Sequence, residues 1–313
     1  MPIGSLGNKG GASLKVPFKL FICAYHKQAC DMRKGVDMTS KKKNPVQLFL
    51  IAISVLFLFI MLVMPLIVVV TEALSRGIQL YQEAVSDSYT LKALLLTIEA
   101  TVAAVLVNTV FGLFAAWTIT KYHFKKKKLL TTLIDIPFAI SPIIAGLVFI
   151  LTFGRIGWAN DILKTLDIKI VFAVPGIILG TVFVTFPFIS REIIPVLNAQ
   201  GKDQEEAAAI MGASAFRIFR KITFPQIKWA FLYGIVLCTA RAMGEFGAVS
   251  VLSGHLRGKT ITLPLQVEIL FSEFNFTAAF AVSSILVILA IIILIIRNIL
   301  EYKMKKAGAG TCM

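Results

Sequence analysis

Charge and reactive side chains are what this 313-residue chain has little of. Only 16% of its residues are Asp, Glu, Lys or Arg, and Asp and Glu together number 17. Ordinary soluble domains carry about 25% charged residues, so this composition excludes a water-exposed surface of normal size. The three histidines, His26, His123 and His255, are scattered, with neither a HExxH pair nor a cysteine cluster near them, which argues against a metal or histidine-assisted nucleophile site. The four cysteines, Cys23, Cys30, Cys238 and Cys312, show no tight ligand spacing, and Cys238 falls inside an apolar run. A GxxxxGK[ST] phosphate loop is also absent, so the chain is not itself an ATPase of that kind.

What is present is apolar length. Hydrophobic residues make up 57% of the chain and the mean hydropathy is +0.83, which places it in a bilayer. Six segments are apolar over the roughly 20 residues that a hydrocarbon core requires: Val46 to Val70, Ala93 to Ile119, Leu129 to Phe153, Ile170 to Ile189, Trp229 to Leu252 and Ala278 to Ile296. Each is expected to be helical, because an isolated strand cannot satisfy its backbone in lipid. The expectation is an all-α integral membrane protein of six transmembrane helices.

The net charge of +15 raises nucleic acid as a partner, but the cations are grouped between apolar runs without interleaved aromatics. The N-terminal tail, the second connection (Lys121, Lys125, Lys126, Lys127, Lys128), the fourth connection and the C-terminal tail (Arg297, Lys303, Lys305, Lys306) hold 24 of the 32 Lys and Arg. The other three connections hold seven, and Arg241 lies within a span. Positive loops stay inside, so both termini are expected in the cytoplasm of a multi-pass inner-membrane protein. The organisation expected is a basic tail over residues 1–45, a six-helix domain over 46–300 and a second basic tail over 301–313. Met38, before the run TSKKKNP, reads as a natural start, with residues 1–37 as an extension.

One polar stretch stands apart. Asp203 to Pro225, DQEEAAAIMGASAFRIFRKITFP, falls in the fourth connection, on the cytoplasmic side. It reads as two short helices. Asp203 is expected to cap the first, with Glu206 reaching back to complete a capping box, and Glu205 and Glu206 suit the positive end of the helix dipole. Ala207, Ala208 and Ala209 propagate that helix, and Gly212 ends it by accepting a left-handed conformation. Ser214 is expected to cap a second helix from Ala215 to Ile222. A well-formed loop on this side is a surface for a peripheral partner, against the plain alternative of an amphipathic loop helix.

Ionisable residues inside spans are costly and tend to face the bundle interior or a water-filled path. Here they are Glu99, Asp135, Arg241 and Glu245, with Asn108 as a neutral companion. Arg241 and Glu245 are four apart on one helix face and can pair. That pair either fixes packing or lends positive potential to an anion path. Glu99 and Asp135 raise a proton relay, a weaker reading because no intramembrane histidine links them. Prolines 137, 142, 175, 187 and 195 permit kinks. The stretch Leu263 to Phe274 alternates in a way that suits an interfacial helix, and His255, Arg257 and Lys259 precede it in a loop that either faces an anion or docking protein or is simply solvated.

The loop also carries a motif. Glu206-Ala207-Ala208, three residues, Gly212, nine residues, then Ile222-Thr223-Phe224-Pro225 resembles the EAA loop of binding-protein-dependent ABC importer permeases. Phe224 stands where that pattern has leucine. The blocks Asp135 to Gly154 and Ala240 to Asn275 are similar to permeases of the sulfate/thiosulfate type, CysW-like, and the resemblance covers roughly Pro45 to Tyr302. Molybdate and tungstate permeases share the RAxGEFGA element and are the close alternative. The resemblance implies a type I ABC importer permease fold and an import role, not an enzyme. It implies pairing with a second permease chain, CysT-like, two cytoplasmic CysA-like ATPase subunits that bind the ATP and Mg, and an external sulfate-binding protein, with no cofactor on this chain and no nucleic acid. On that reading Glu205, Glu206, Ala207, Ala208, Gly212, Ile222, Phe224 and Pro225 meet the ATPase, and Arg241 with Glu245 is the candidate for the anion path. A proton-coupled anion transporter is the rival of another class. An intramembrane enzyme is remoter still, because no paired catalytic set lies at one depth.

Overall fold

The computed structural model of the protein describes residues 45–122 and 124–309, with side chains as far as 303. The extension expected over residues 1–37 lies outside the described residues. Contacts among the described residues divide them between a unit that includes 45–61 and a unit of Leu62–Gly308. Among the described residues every regular element is a helix.

Five helices are long and apolar enough to cross a membrane: Pro45–Leu74, Ser88–Lys121, Val174–Gln200, Ala215–Met243 and Phe276–Lys303. A sixth span is formed only if the pair Lys127–Ala139 and Pro142–Phe153, bent by 106°, is counted as one. We label the helices α1 (Pro45–Leu74), α2 (Ile78–Ser86), α3 (Ser88–Lys121), α4 (Lys127–Ala139), α5 (Pro142–Phe153), α6 (Asn160–Thr165), α7 (Val174–Thr185), α8 (Pro187–Gln200), α9 (Asp203–Ile210), α10 (Ala215–Ile218), α11 (Phe224–Met243), α12 (Gly247–Ser253), α13 (Leu263–Ser272) and α14 (Phe276–Ala309).

Three expected spans change shape. The third is broken where Ile140 and Ser141 take extended ψ values of 133° and 132°; Pro142 disfavours helical geometry in the residue before it and then starts α5. The fourth starts at Val174 and continues past the expected end through Pro187 as α8. The fifth starts earlier, at Ala215, and stops at Met243. Beyond it the chain breaks over Gly244, Glu245 and Phe246 before α12.

Two π-helical turns, Phe59–Val63 in α1 and Phe219–Thr223 before α11, each lie just ahead of a proline, Pro65 and Pro225. A proline has no N–H to donate and its ring crowds the carbonyl four residues back. Widening the preceding turn relieves that crowding without ending the helix.

The central strut of the larger unit is α3. Asp87 accepts the N–H groups of Tyr89 and Thr90 at 3.0 and 3.2 Å and so starts it. At 34 residues it runs about 51 Å, longer than the roughly 30 Å hydrocarbon core. Its buried face, Ala93, Leu96, Ala100, Ala104, Asn108, Gly112 and Ala116, is made mostly of small residues at helical spacing, which lets neighbouring backbones come close. At one end it joins a core of Ile177 (α7), Val249 (α12), Leu263 and Leu265 (α13) and Val282 (α14). At the other it meets Ile189, Ile193 and Leu197 (α8) with Ile227 and Cys238 (α11). The expected interfacial helix is therefore part of the core. Leu263 and Leu265 are wholly buried, and the Leu263 N–H donates to Thr97 Oγ1 at 2.7 Å.

Candidate functional site

The polar loop folds as the two expected short helices with different caps. Gly201, at φ 68°, turns the chain so that Lys202 takes the cap position of α9 and Asp203 already lies in its first turn. The expected capping box of Asp203 and Glu206 is not formed. Instead the Lys202 carbonyl accepts both Glu205 and Glu206 N–H groups at 3.0 Å, and the three acids remain at the positive helix end. The stop is as expected. Gly212 has φ +78°, its N–H donates to Ala209 O and the Ala213 N–H to Ala208 O, both at 3.0 Å, the paired bonds of a Schellman stop. A Cβ added at Gly212 would meet nothing within 4 Å, so backbone conformation alone explains the glycine. Ser214 occupies the cap of α10 in extended geometry without a side-chain bond.

One carboxylate fastens this loop to two spans. Glu205 Oε2 lies 2.9 Å from Lys121 Nζ at the end of α3. Its Oε1 accepts the hydroxyl of buried Thr223, in the π turn that leads into α11, at 2.6 Å. Two lysines cross at the same joint: Lys121 Nζ donates to Gly201 O at 3.4 Å and Lys202 Nζ to Lys121 O at 3.0 Å. Phe219 stands edge-on to Trp117 of α3, 5.1 Å between centroids. Phe224, the departure from the leucine pattern, extends this aromatic cluster to Phe219 and Phe231, at 6.0 and 5.9 Å.

The opposite face of the loop is bare. Ile210 is 88% exposed, Met211 80% and Phe216 72%, with Glu206, Ala207 and Gly212 exposed beside them. Ala208 is buried, Ile222 is half-buried and Pro225 is exposed.

The Arg241–Glu245 pair forms as its spacing predicted, with Nη1 to Oε2 at 2.7 Å. Glu245 does more than pair. Its Oε1 accepts the Ala248 N–H at 2.9 Å and so ties the end of α11 to the start of α12. The α12 helix is wedged between α5 and α7 at small residues: a Cβ on Gly146 would sit 3.0 Å from Ala248 O, and one on Gly180 2.8 Å from Leu252 Cδ1.

The other intramembrane polar residues are dispersed. Asp135 accepts from Arg191 at 2.8 Å across α4 and α8, and the Arg191 guanidinium lies 4.6 Å from the Phe138 ring. Glu99 is exposed on α3, and no hydrogen bond among the described residues links it to Asp135, which leaves a proton relay without a connected chain of groups. Asn108 is wholly buried and donates to Val182 O at 3.2 Å and Thr185 Oγ1 at 2.8 Å, binding α3 to α7.

Residues 108–306 match the family described as binding-protein-dependent transport system inner membrane component. The chain belongs to this family. Among its relatives, the sulfate transport system permease protein CysW of Escherichia coli (strain K12) is 43% identical over 257 residues, 82% of this chain and 88% of the relative. The CysW protein of Synechocystis is 43% identical over 262 residues, 84% and 95% of the two chains. The sulfate transport system permease protein CysT of Salmonella typhimurium is 31% identical over 273 residues, 87% and 99%. Among solved structures, a chain of a bacterial ABC transporter involved in the import of the acidic polysaccharide alginate superposes with a TM-score of 0.70 at 15% identity, covering 83% of this chain and 95% of that one. The same fold occurs in an alginate transporter complexed with its alginate pentasaccharide-bound periplasmic protein, at a TM-score of 0.71. The fold is thus that of an ABC importer permease, a multi-pass membrane protein and not an enzyme.

Within this permease fold, sequence reasoning missed Lys121 and Thr223 as the partners of the loop. The available signal was weak: Lys121 is the first cation after the second apolar run, and Thr223 is the polar residue between Ile222 and Phe224. The motif begins at Glu206, whereas Glu205 is the anchored carboxylate.

Proposed function

We propose that this chain is the permease subunit of an ATP-driven importer of sulfate, and that the loop Asp203 to Pro225 couples it to a separate ATPase. The observation that carries this reading is the two-sided build of α9. One face is fastened through Glu205 to α3 and to the π turn that leads into α11, while Ile210, Met211 and Phe216 project outward, uncovered by any of the described residues. A contiguous exposed apolar patch rimmed by charge is the signature of a protein contact. A push on that patch is delivered to two spans at once.

The loop lies on the cytoplasmic side, by the grouping of cations in the connections that flank it. The partners are a second, CysT-like permease chain, two CysA-like ATPase subunits that hold the ATP and Mg, and an external sulfate-binding protein. ATP closes the ATPase pair, α9 follows, and the spans move from inward-open to outward-open. The two nucleotide states must contact α9 differently for this to occur, since a ligand shifts an equilibrium only through differential binding. Sulfate is favoured over molybdate because the CysW relatives, at 43% identity, are named for sulfate. Arg241 lends positive potential along the path while Glu245 holds it.

The test is affinity purification of the tagged chain from membranes, followed by uptake assays in proteoliposomes. An ATPase and a second permease are expected to co-purify and to support ATP-dependent uptake of labelled sulfate that molybdate competes for poorly. Uptake that survives ATP depletion and follows the proton gradient would overturn the proposal in favour of a secondary transporter.

A further inference from the structure

A small cavity of about 210 Å³ opens between the first turns of α3, the start of α7 and the loop before α13. Lys92, Leu95, Leu96 and Glu99 form one wall, and Val174, Gly258, Lys259 and Ile261 form the rest. The volume falls below the roughly 300 Å³ at which drug-sized pockets begin, yet it exceeds several times the ~30 Å³ share of one water. It fits a small hydrated ion.

The base of this cavity is rigid. Leu96 and Ile261 belong to the buried core, and the loop that carries Lys259 is bonded internally. Thr260 Oγ1 donates to Ser253 O at 2.7 Å and accepts the Leu256 N–H at 3.2 Å, and the Leu263 N–H is pinned to Thr97 of α3. Gly258, at φ +72°, brings the loop onto α3, where its Cβ position lies 3.6 Å from Lys92 Cδ and from the Tyr89 ring. The loop backbone thus lies against Lys92, and Lys259 lines the same cavity.

Neither ammonium has a partner among the described residues. Three acids nearby pair with other cations: Glu268 with His255, Glu273 with Arg257 and Asp161 with Lys164. Among the described residues Lys92 and Lys259 make no ion pair or side-chain hydrogen bond, and neither does Glu99. Two ammonium groups line this cavity against one carboxylate, Glu99, so one positive charge is left over, and a bridging anion lowers the repulsion between the two cations.

We propose that Lys92 and Lys259 form a receiving site for a tetrahedral oxyanion at the outer mouth of the permease. This rests on the sulfate-import reading and on the orientation proposed with it. A sulfate dianion offers acceptor oxygens to both ammonium groups, in charge-assisted bonds stronger than neutral ones. Glu99 on the same wall offsets part of the positive charge. The anion is therefore attracted but not trapped, which a conducting path requires of each of its sites.

The experiment uses the complete importer, with its binding protein, in proteoliposomes. Wild type is measured first: if it moves no sulfate, the import reading fails and this site is not at issue. If it does, Lys92→Gln with Lys259→Gln is expected to lower sulfate transport at saturating binding protein by on the order of a hundredfold, as befits loss of two charge-assisted bonds. ATPase stimulation by the loaded binding protein should stay at the wild-type level, and Lys92→Arg with Lys259→Arg should restore transport. Unchanged transport in the Gln pair would overturn the site. So would a variant that needs more binding protein for half-maximal ATPase stimulation yet transports normally once saturated, because that outcome assigns the lysines to protein docking.

Discussion

Lys121 Nζ and Glu205 Oε2 stand 2.9 Å apart, with side chains only 9% and 19% exposed, and this ion pair is where the end of a long span grips the helix that follows Gly201. The lysine sits at the foot of α3, whose other end reaches the core formed by α7, α12, α13 and α14. Motion of α9 therefore reaches α3 through a charge contact as well as α11 through the chain.

Removing that contact should separate ATP hydrolysis from transport. Lys121→Met and Glu205→Gln are each expected to leave an assembled complex with basal ATPase activity and a reduced ratio of sulfate moved to ATP hydrolysed. Neighbouring charges of this kind couple by roughly 0.5–3 kcal/mol in double-mutant cycles. The swapped pair Lys121→Glu with Glu205→Lys should recover part of the ratio, although Thr223, Gly201 and the crossing Lys202 also hold the joint. Additive effects of the two single changes on the ratio would show that the pair carries no coupling.

Gly212 tests the helix stop on its own. With φ +78° and open space at its Cβ position, Gly212→Ala meets no clash and should cost about 1–2 kcal/mol of local conformational energy. Gly212→Asn should cost less, because asparagine visits the left-handed region. Gly212→Asp tolerates the same backbone but sets a negative charge at the negative end of α9, beside the bare face of Ile210 and Met211. It is expected to uncouple transport with the protein still inserted, more severely than Asn of nearly the same shape. Thermal unfolding of the purified complex gives the strain and the transport-to-ATPase ratio gives the coupling; equal ratios for Asn and Asp would remove charge from the explanation.

The Arg241–Glu245 pair is asymmetric, and its variants should be too. The Glu245 side chain is 1% exposed while that of Arg241 is 34% exposed. Arg241→Ala leaves a buried carboxylate facing only the Ala248 N–H, a loss of about 3–5 kcal/mol when a buried charge is stranded. Glu245→Gln keeps an acceptor for Ala248 and leaves the less buried member of the pair unmatched, so its cost should be smaller. Arg241→Met combined with Glu245→Gln should assemble better than Arg241→Ala alone. If that double variant assembles and still transports sulfate at the wild-type rate, Arg241 has no part in the anion path.

How much of this was legible depends on the range of each interaction. The Gly212 stop and the Arg241–Glu245 pair are local, within one or two helical turns, and residue type with spacing suffices for them. The Glu205 joint is not local: it depends on α3 ending beside α9, so Glu205 and Glu206 are indistinguishable until Lys121 is placed. The apolar run from Leu129 to Phe153 reads as one straight span because its average hydropathy stays high through Ile140 and Ser141; the proline at 142 hints at the break, but not at the 106° between its two halves. Leu263 to Ser272 misleads in the same way, since alternation cannot distinguish a helix floating at an interface from one whose Leu263 and Leu265 enter the core. Asp203 loses its capping role to a backbone turn at Gly201, which its own side chain gives no sign of.

The wedge of α12 between α5 and α7 gives the last prediction. A Cβ on Gly180 would lie 2.8 Å from Leu252 Cδ1 and 3.3 Å from the Ala248 Cβ, so Gly180→Ala pushes on the wholly buried tip of a flexible leucine. Overpacking of this size typically costs about 1–3 kcal/mol, and Gly180→Val, with more bulk at the same point, should be worse. Leu252→Ala opens a cavity when made alone, a loss of about 2–5 kcal/mol. Combined with Gly180→Ala it should be less harmful than the sum, because each change occupies or vacates space that the other needs. Because α12 is tied to Glu245 through the Ala248 N–H, displacement of α12 in Gly180→Val should also disturb the Arg241 pair and lower transport beyond the loss of assembled protein. Thermal unfolding and transport per assembled complex measure the two effects separately. Strict additivity in unfolding would mean that Leu252 relaxes freely, and that the close approach of α7 and α12 sets no limit at this position.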